Sequence, residues 1–189
     1  MKQILFIHSA EKQGANRGSR HIVSYLTESL TADYQIFCPL MPCPERPNYQ
    51  LWKDRIEDEM KNLGDDIILI GHSLGGSVIL KFLSEQPVQK SIAGLFLIAP
   101  PFWGRDDDWQ IDEYKLSENF ADALPEIPLI CIYHSRDDQW VPYSHLFDYA
   151  EALPKAILHK FGVRGHNFTN GIPELVDDIT NLTIRSLQQ

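Results

Sequence analysis

The chain has no uninterrupted apolar run of the about 18 residues that a membrane-crossing helix requires. Its first residues, Met1-Lys2-Gln3 before Ile4-Leu5-Phe6-Ile7, have too short an apolar stretch for a secretory leader and no small-residue cleavage site, and are expected to open a first strand. Positive charge is also scarce. With 17 basic against 26 acidic residues the formal net charge is −9, and no dense basic block exists. Such a surface repels phosphate backbones and anionic lipids, so neither nucleic acid nor membrane is expected as a partner. Cysteine is scarcer still. Cys38, Cys43 and Cys131 cannot all pair, and none has Cys-x-x-Cys spacing. A disulfide framework is excluded, and a reducing, cytoplasmic setting is expected. Cys131, inside Leu129-Ile130-Cys131-Ile132-Tyr133, reads as a small buried hydrophobe.

What the chain does have is apolar residues, 43% of 189, enough for one domain over 1–189 with a single core. Short runs rich in Ile, Leu, Val and Phe alternate with longer segments of helical period, the pattern of strands covered by helices on both sides. Strands are predicted at 3–8, 34–40, 67–70, 93–99, 129–133 and 156–161. Helices are predicted from about residue 19, at 49–63 and 74–86, from about 144 to 153 and from about 173 to 187. In the first helix Ile22, Leu26 and Leu30 form one stripe. In the second, Leu51, Ile56, Met60 and Leu63 form the apolar side, with Asn48 or Pro47 at its start. The fold class is α/β: a doubly wound, mostly parallel six-stranded sheet with helices on both faces and functional loops beyond the C-terminal strand ends. The extra material is an aromatic, acidic insertion at about 101–124.

The stretch Ile68 to Leu80, ILIGHSLGGSVIL, places a glycine-rich corner between a strand and a helix. A phosphate-binding turn needs Gly-Lys-Ser/Thr or Gly-x-Gly-x-x-Gly, and Gly71, Gly75 and Gly76 satisfy neither. Gly71-His72-Ser73-Leu74-Gly75 does fit Gly-x-Ser-x-Gly, in which a serine sits exposed on a strained turn. The helix beginning at Leu74 aims its free N–H groups at the same place and favours negative charge there.

A serine hydroxyl needs a histidine base and a carboxylate to orient that base. His166 follows the last strand in the glycine-flanked loop Gly162-Val163-Arg164-Gly165-His166 and is the candidate base. His21, His72, His145 and His159 read as surface or supporting residues. The acid should follow the neighbouring strand, where Asp137 and Asp138 compete, with Asp106, Asp107 and Asp108 as a fallback. Adjacent residues of an extended loop point in different directions, so one of Asp137 and Asp138 is expected to reach the histidine.

Together Gly71-His72-Ser73-Leu74-Gly75-Gly76, His134-x-x-x-Asp138-x-x-Val141-Pro142 and Gly165-His166 resemble the α/β-hydrolase superfamily over nearly the whole chain. The compact length resembles the small serine hydrolases of the retinoblastoma-binding protein 9 type. The resemblance implies Asp138 as the acid, three residues before the Val of a Val-Pro pair. It also implies an oxyanion hole from the backbone N–H of Leu74 and a second from the loop His8-Ser9-Ala10, at Ser9 or Ala10, where many relatives carry His-Gly. No metal or organic cofactor is implied.

The expected activity is hydrolysis of an ester, thioester or amide of a small molecule through an acyl-enzyme on Ser73. Phe102, Trp103 and Trp140, with Trp109 and Tyr114, are candidates for an acyl pocket or small cap, and Arg105 and Arg136 read as surface residues, with binding of a substrate carboxylate as the alternative. The competing expectation is an idle hydrolase scaffold used as a protein-interaction module. Oligomeric state is not legible in the sequence.

Overall fold

The computed structural model describes residues 1–14 and 17–186, with side chains described through residue 182. Positions 15–16 of the first loop and Leu187, the expected end of the last helix, lie outside them. The elements run β1 (Lys2–Ile7), α1 (Arg20–Ser29), β2 (Tyr34–Phe37), α2 (Tyr49–Lys61), β3 (Ile67–His72), α3 (Leu74–Glu85), β4 (Ile92–Ile98), a 3₁₀ turn (Asp112–Tyr114), α4 (Phe120–Ala123), β5 (Ile130–Ser135), α5 (His145–Ala152), β6 (Ile157–Phe161) and α6 (Pro173–Ser186).

The six strands form one sheet in the order β2-β1-β3-β4-β5-β6, and every pairing between them is parallel. Alternation along the strands divides the core in two. Leu5, Ile7, Leu69, Leu95, Leu97 and Ile132 pack with α2, α3 and α5. Ile4, Phe6, Ile68, Ile70, Phe96, Cys131 and Tyr133 pack with α1 and α6 on the opposite face. The central strands are buried on both faces, hence their unbroken apolar sequences. Cys131 is buried in the second layer, as its sequence setting predicts.

Two expectations change in detail. β2 stops at Phe37 instead of Leu40, because it is an edge strand that runs into the proline-rich stretch. In α2, Leu51 faces water and Trp52 fills the core, its indole N–H donating to Pro42 O at 2.8 Å. Asn48 caps this helix, accepting from Leu51 N at 3.1 Å.

The connection from β1 goes to β2 on one side, whereas β3 and the strands that follow it in sequence lie on the other. This reversal opens a crevice above the C-terminal ends of β1 and β3, where ligands of such sheets bind. Ser9 and Ala10 leave β1 there, and Ser73 leaves β3.

Candidate active site

Ser73 turns the chain from β3 into α3 with φ 53° and ψ −124°. Backbone of this kind costs a non-glycine residue on the order of 1–3 kcal/mol, so the surroundings must enforce it. They do so by proximity. A Cβ at position 71 would stand 2.5 Å from Gly76 Cα, and one at position 75 would stand 2.5 Å from the carbonyl oxygens of Ile7 and His8. Only glycine lets α3 begin this close to β3 and to the exit of β1. The Ser73 N–H donates to Ile98 O at 2.8 Å and ties the corner to β4.

His166 follows β6 in a loop entered through Gly165, at φ 59°. Its Nδ1 lies 2.8 Å from Asp138 Oδ2, and the Asp138 side chain is fully buried. Asp138 Oδ1 accepts from Trp140 N at 2.8 Å and Val141 N at 2.9 Å. His134 Nε2 stands 3.2 Å from Oδ2 and 3.1 Å from Val141 O, so it carries a hydrogen toward both. Burial opposes a charge on Asp138, but hydrogen bonds from His134 and His166 outweigh it and hold the carboxyl well below the usual carboxylate range.

Asp137 does a different job. Its Oδ1 accepts from Ser135 Oγ, from Gly165 N at 2.9 Å and from Arg164 N at 3.1 Å. It thereby holds the loop that carries His166, and these bonds, Ser135 first, lower its pKa. Asp106, the fallback acid, pairs with His145 Nε2 at 2.8 Å and does not meet His166.

Ser73 and His166 line one cleft of about 560 Å³, together with Ser9, Ala10, Leu74, Val141 and Trp140. Ser73 Oγ makes no hydrogen bond among the described residues, so the serine–histidine contact is not closed in this state. Such contacts commonly tighten only when substrate binds. The two candidate N–H donors of the first loop differ. Ser9 N–H is taken by Ser19 Oγ at 3.0 Å. Ala10 N–H and Leu74 N–H have no acceptor among the described residues.

The opposite wall of the cleft is aromatic. Trp103 lies 4.8 Å from Trp109 and 4.9 Å from Tyr114, centroid to centroid, and all three line the cleft with Ile111 and Pro47. Side chains bolt this wall down at two ends. His145 Nδ1 accepts Phe102 N–H at 2.9 Å while its Nε2 faces Asp106, and Glu113 accepts from Asn48 Nδ2 and Tyr49 N, each at 3.0 Å.

Phe102 does not belong to this wall. It is buried against Phe120 and Tyr149, with centroids 6.3 and 4.7 Å away, because the N–H bond to His145 turns it into the core. Arg105 and Arg136 lie over Phe102 and Tyr143 and are absent from the cleft lining. Sequence reasoning missed Arg17, His21, Asn167 and Thr169, which form the polar rim. It also underrated His145 and His72, both buried. Their polar contacts reach residues 39 to 94 positions away, so no local signal marked them.

The serine hydrolase family model matches residues 14–173. YdeN of Bacillus subtilis (strain 168) is 27% identical over 158 residues, 82% of this chain and 81% of YdeN. The crystal structure of the B. subtilis ydeN gene product matches with a TM-score of 0.79 at 25% identity, over 97% of this chain and 99% of that one. Est1E from Butyrivibrio proteoclasticus, 16% identical, matches with a TM-score of 0.71 over 100% and 89%, a likeness of fold alone. The architecture is that of a minimal α/β hydrolase.

Proposed function

The chain belongs to the serine hydrolase family, and we propose that it cleaves ester-like small molecules, esters, thioesters or amides, through an acyl-enzyme on Ser73. The observation that carries this reading is a serine held at positive φ at a helix N-terminus, in one cleft with a histidine whose other ring nitrogen is 2.8 Å from a buried carboxylate. His166 removes the Ser73 proton as Oγ attacks the substrate carbonyl. The carbonyl π electrons move to oxygen, and Leu74 N–H with Ala10 N–H receives the charge. His166, now protonated, gives its proton to the leaving group as the bond to it breaks. Water, deprotonated by His166, repeats the sequence at the acyl-enzyme and releases the acid. Asp138 fixes the Nδ1–H tautomer and supports the imidazolium.

Segment 101–124 acts as a short cap over one domain, its aromatic wall receiving the apolar part of the substrate, with Trp140 at the rim. A reducing cytoplasmic setting fits the three free thiols. The compact grouping of the retinoblastoma-binding protein 9 type remains part of this reading. The chemistry calls for no metal or organic cofactor. A fluorophosphonate probe tests the function: one label per chain is expected on intact protein and none on Ser73→Ala. No label on the intact protein would favour the idle interaction scaffold.

A further inference from the structure

Ser19 occupies the N-cap of α1, where a serine ordinarily turns its hydroxyl to the first N–H groups of its own helix, yet it makes no such bond. Forgoing a cap costs about 1 kcal/mol, so the hydroxyl must be better used elsewhere. It is fully buried and stands 2.8 Å from His72 Nδ1, 3.0 Å from Ser9 N and 3.2 Å from Ser9 Oγ. The other nitrogen of the fully buried His72 ring is 3.0 Å from the backbone oxygen of His166.

Proton positions follow from the partners. A carbonyl can only accept, so His72 Nε2 carries hydrogen and donates to His166 O. In the neutral ring Nδ1 then accepts the Ser19 hydroxyl proton, leaving Ser19 Oγ to accept Ser9 N–H. Burial, then the neighbouring His166 ring, keeps the His72 pKa well below its ordinary value, which preserves this neutral form. The relay runs in one direction, Ser9 N–H to Ser19, Ser19 O–H to His72 and His72 N–H to His166, and the Ser9 hydroxyl is left to donate to Ser19 Oγ as well. His72 is also the residue immediately before Ser73.

We propose that His72 and Ser19 are positioning residues that lock the loop after β1 to the loop after β6, so that the Ala10 N–H and the His166 ring are placed together relative to Ser73. By consuming the Ser9 N–H, the chain turns the next amide toward the cleft. By holding the carbonyl of His166, it anchors the backbone of a residue whose ring is held separately by Asp138. This inference rests on the acyl-transfer reading above.

Three variants divide the chain. Ser19→Ala removes the hydroxyl with little change in volume. His72→Gln keeps a donor near the Nε2 position and loses the acceptor at Nδ1. His72→Asn keeps an acceptor near Nδ1 and loses the donor. Rates are expressed per Ser73 that a fluorophosphonate can label, so that loss of folded protein does not count as loss of catalysis.

Losing a whole oxyanion donor costs roughly 10²–10³ in turnover, so displacing one is expected to lower kcat about 10- to 100-fold. Ser19→Ala and His72→Gln should show that fall with KM nearly unchanged and a parallel fall in affinity for an alkyl boronic acid, whose tetrahedral adduct occupies the oxyanion site. The double variant Ser19→Ala/His72→Gln should be no worse than either single one. His72→Asn should keep boronate affinity while kcat falls, because the anchor it loses is the one on the His166 carbonyl. Wild-type kcat and boronate affinity in Ser19→Ala, or fully additive losses in the double variant, would overturn the proposal. Failure of the intact protein to be labelled at all would instead overturn the acyl-transfer reading on which it rests.

Discussion

The corner around Ser73 and the aromatic wall of residues 101–124 face each other across one cleft but are built by opposite means. The corner is made by backbone. Gly71 and Gly75 remove Cβ atoms that would stand 2.5 Å from other main-chain atoms, and nothing there can give way. The wall is made by side chains: His145 with Asp106 at one end, Glu113 with the start of α2 at the other, and three rings in edge-on and tilted contact between. Backbone contacts of that kind admit one geometry, whereas packed rings admit several. Changes at the corner should therefore remove the chemistry, and changes in the wall should alter which substrates are accepted.

The largest effect expected is from Ser73→Ala, a fall in kcat of roughly 10⁴–10⁶ with the fold intact by circular dichroism. Gly75→Ala should be nearly as damaging by another route, because its Cβ would meet two carbonyl oxygens, and on the order of 1–3 kcal/mol of stability should be lost in denaturant titrations. A Gly75→Ala protein with unchanged stability would break the contrast. Next comes Asp138→Asn, expected to lower kcat by about 10⁴ through the wrong histidine tautomer. Asp137→Asn, which only loosens the 164–165 loop, should cost about tenfold; a larger loss from Asp137→Asn reverses the assignment.

A pH titration separates the two regions by stability. His8, at the exit of β1, is pulled from 6.5 to about 4, first by burial and then by Arg20. Between those values the unfolded chain binds the proton and the folded chain does not. Stability present above pH 6.5 is therefore lost as pH falls toward 4, by about 3 kcal/mol at most. The lowered Asp138 carboxyl acts in the same direction, but in the more acidic carboxylate range. Unfolding free energies at pH 7 and pH 4.5 should differ markedly in the native chain and less in His8→Asn. The smallest effect belongs to the wall: Trp109→Ala should lower kcat/KM about tenfold for bulky apolar esters and hardly at all for acetyl esters. Equal losses for both would show that the wall takes no part in selection.

The same contrast explains what the sequence revealed. The corner was legible because its constraint is local: Gly71 and Gly75, which leave no room for a Cβ, flank Ser73 within five positions. The parallel sheet was legible for a similar reason, in the alternation of short apolar runs with helical periods. The wall was only partly legible. Trp103, Trp109 and Tyr114 line the cleft, whereas Phe102, grouped with them in the sequence, fills the core, since its orientation depends on His145, 43 positions away. Spacing alone left Asp137 and Asp138 open, and the structure divides them by partner, one to a side chain and one to a loop. Ser9 and Ala10 were equally open in the sequence, and the Ser19 hydroxyl that accepts the Ser9 N–H lies 10 positions away. His72 was passed over because its two partners lie 53 and 94 positions away.

The central claim is that Ser73 carries the acyl group during turnover. Rapid-quench mass spectrometry of the intact chain mixed with p-nitrophenyl butyrate tests it directly. The account predicts a transient gain of one butyryl group, mapped to the peptide containing Ser73 and absent in Ser73→Ala. Turnover with no adduct at Ser73, or with the adduct on another residue, would contradict it.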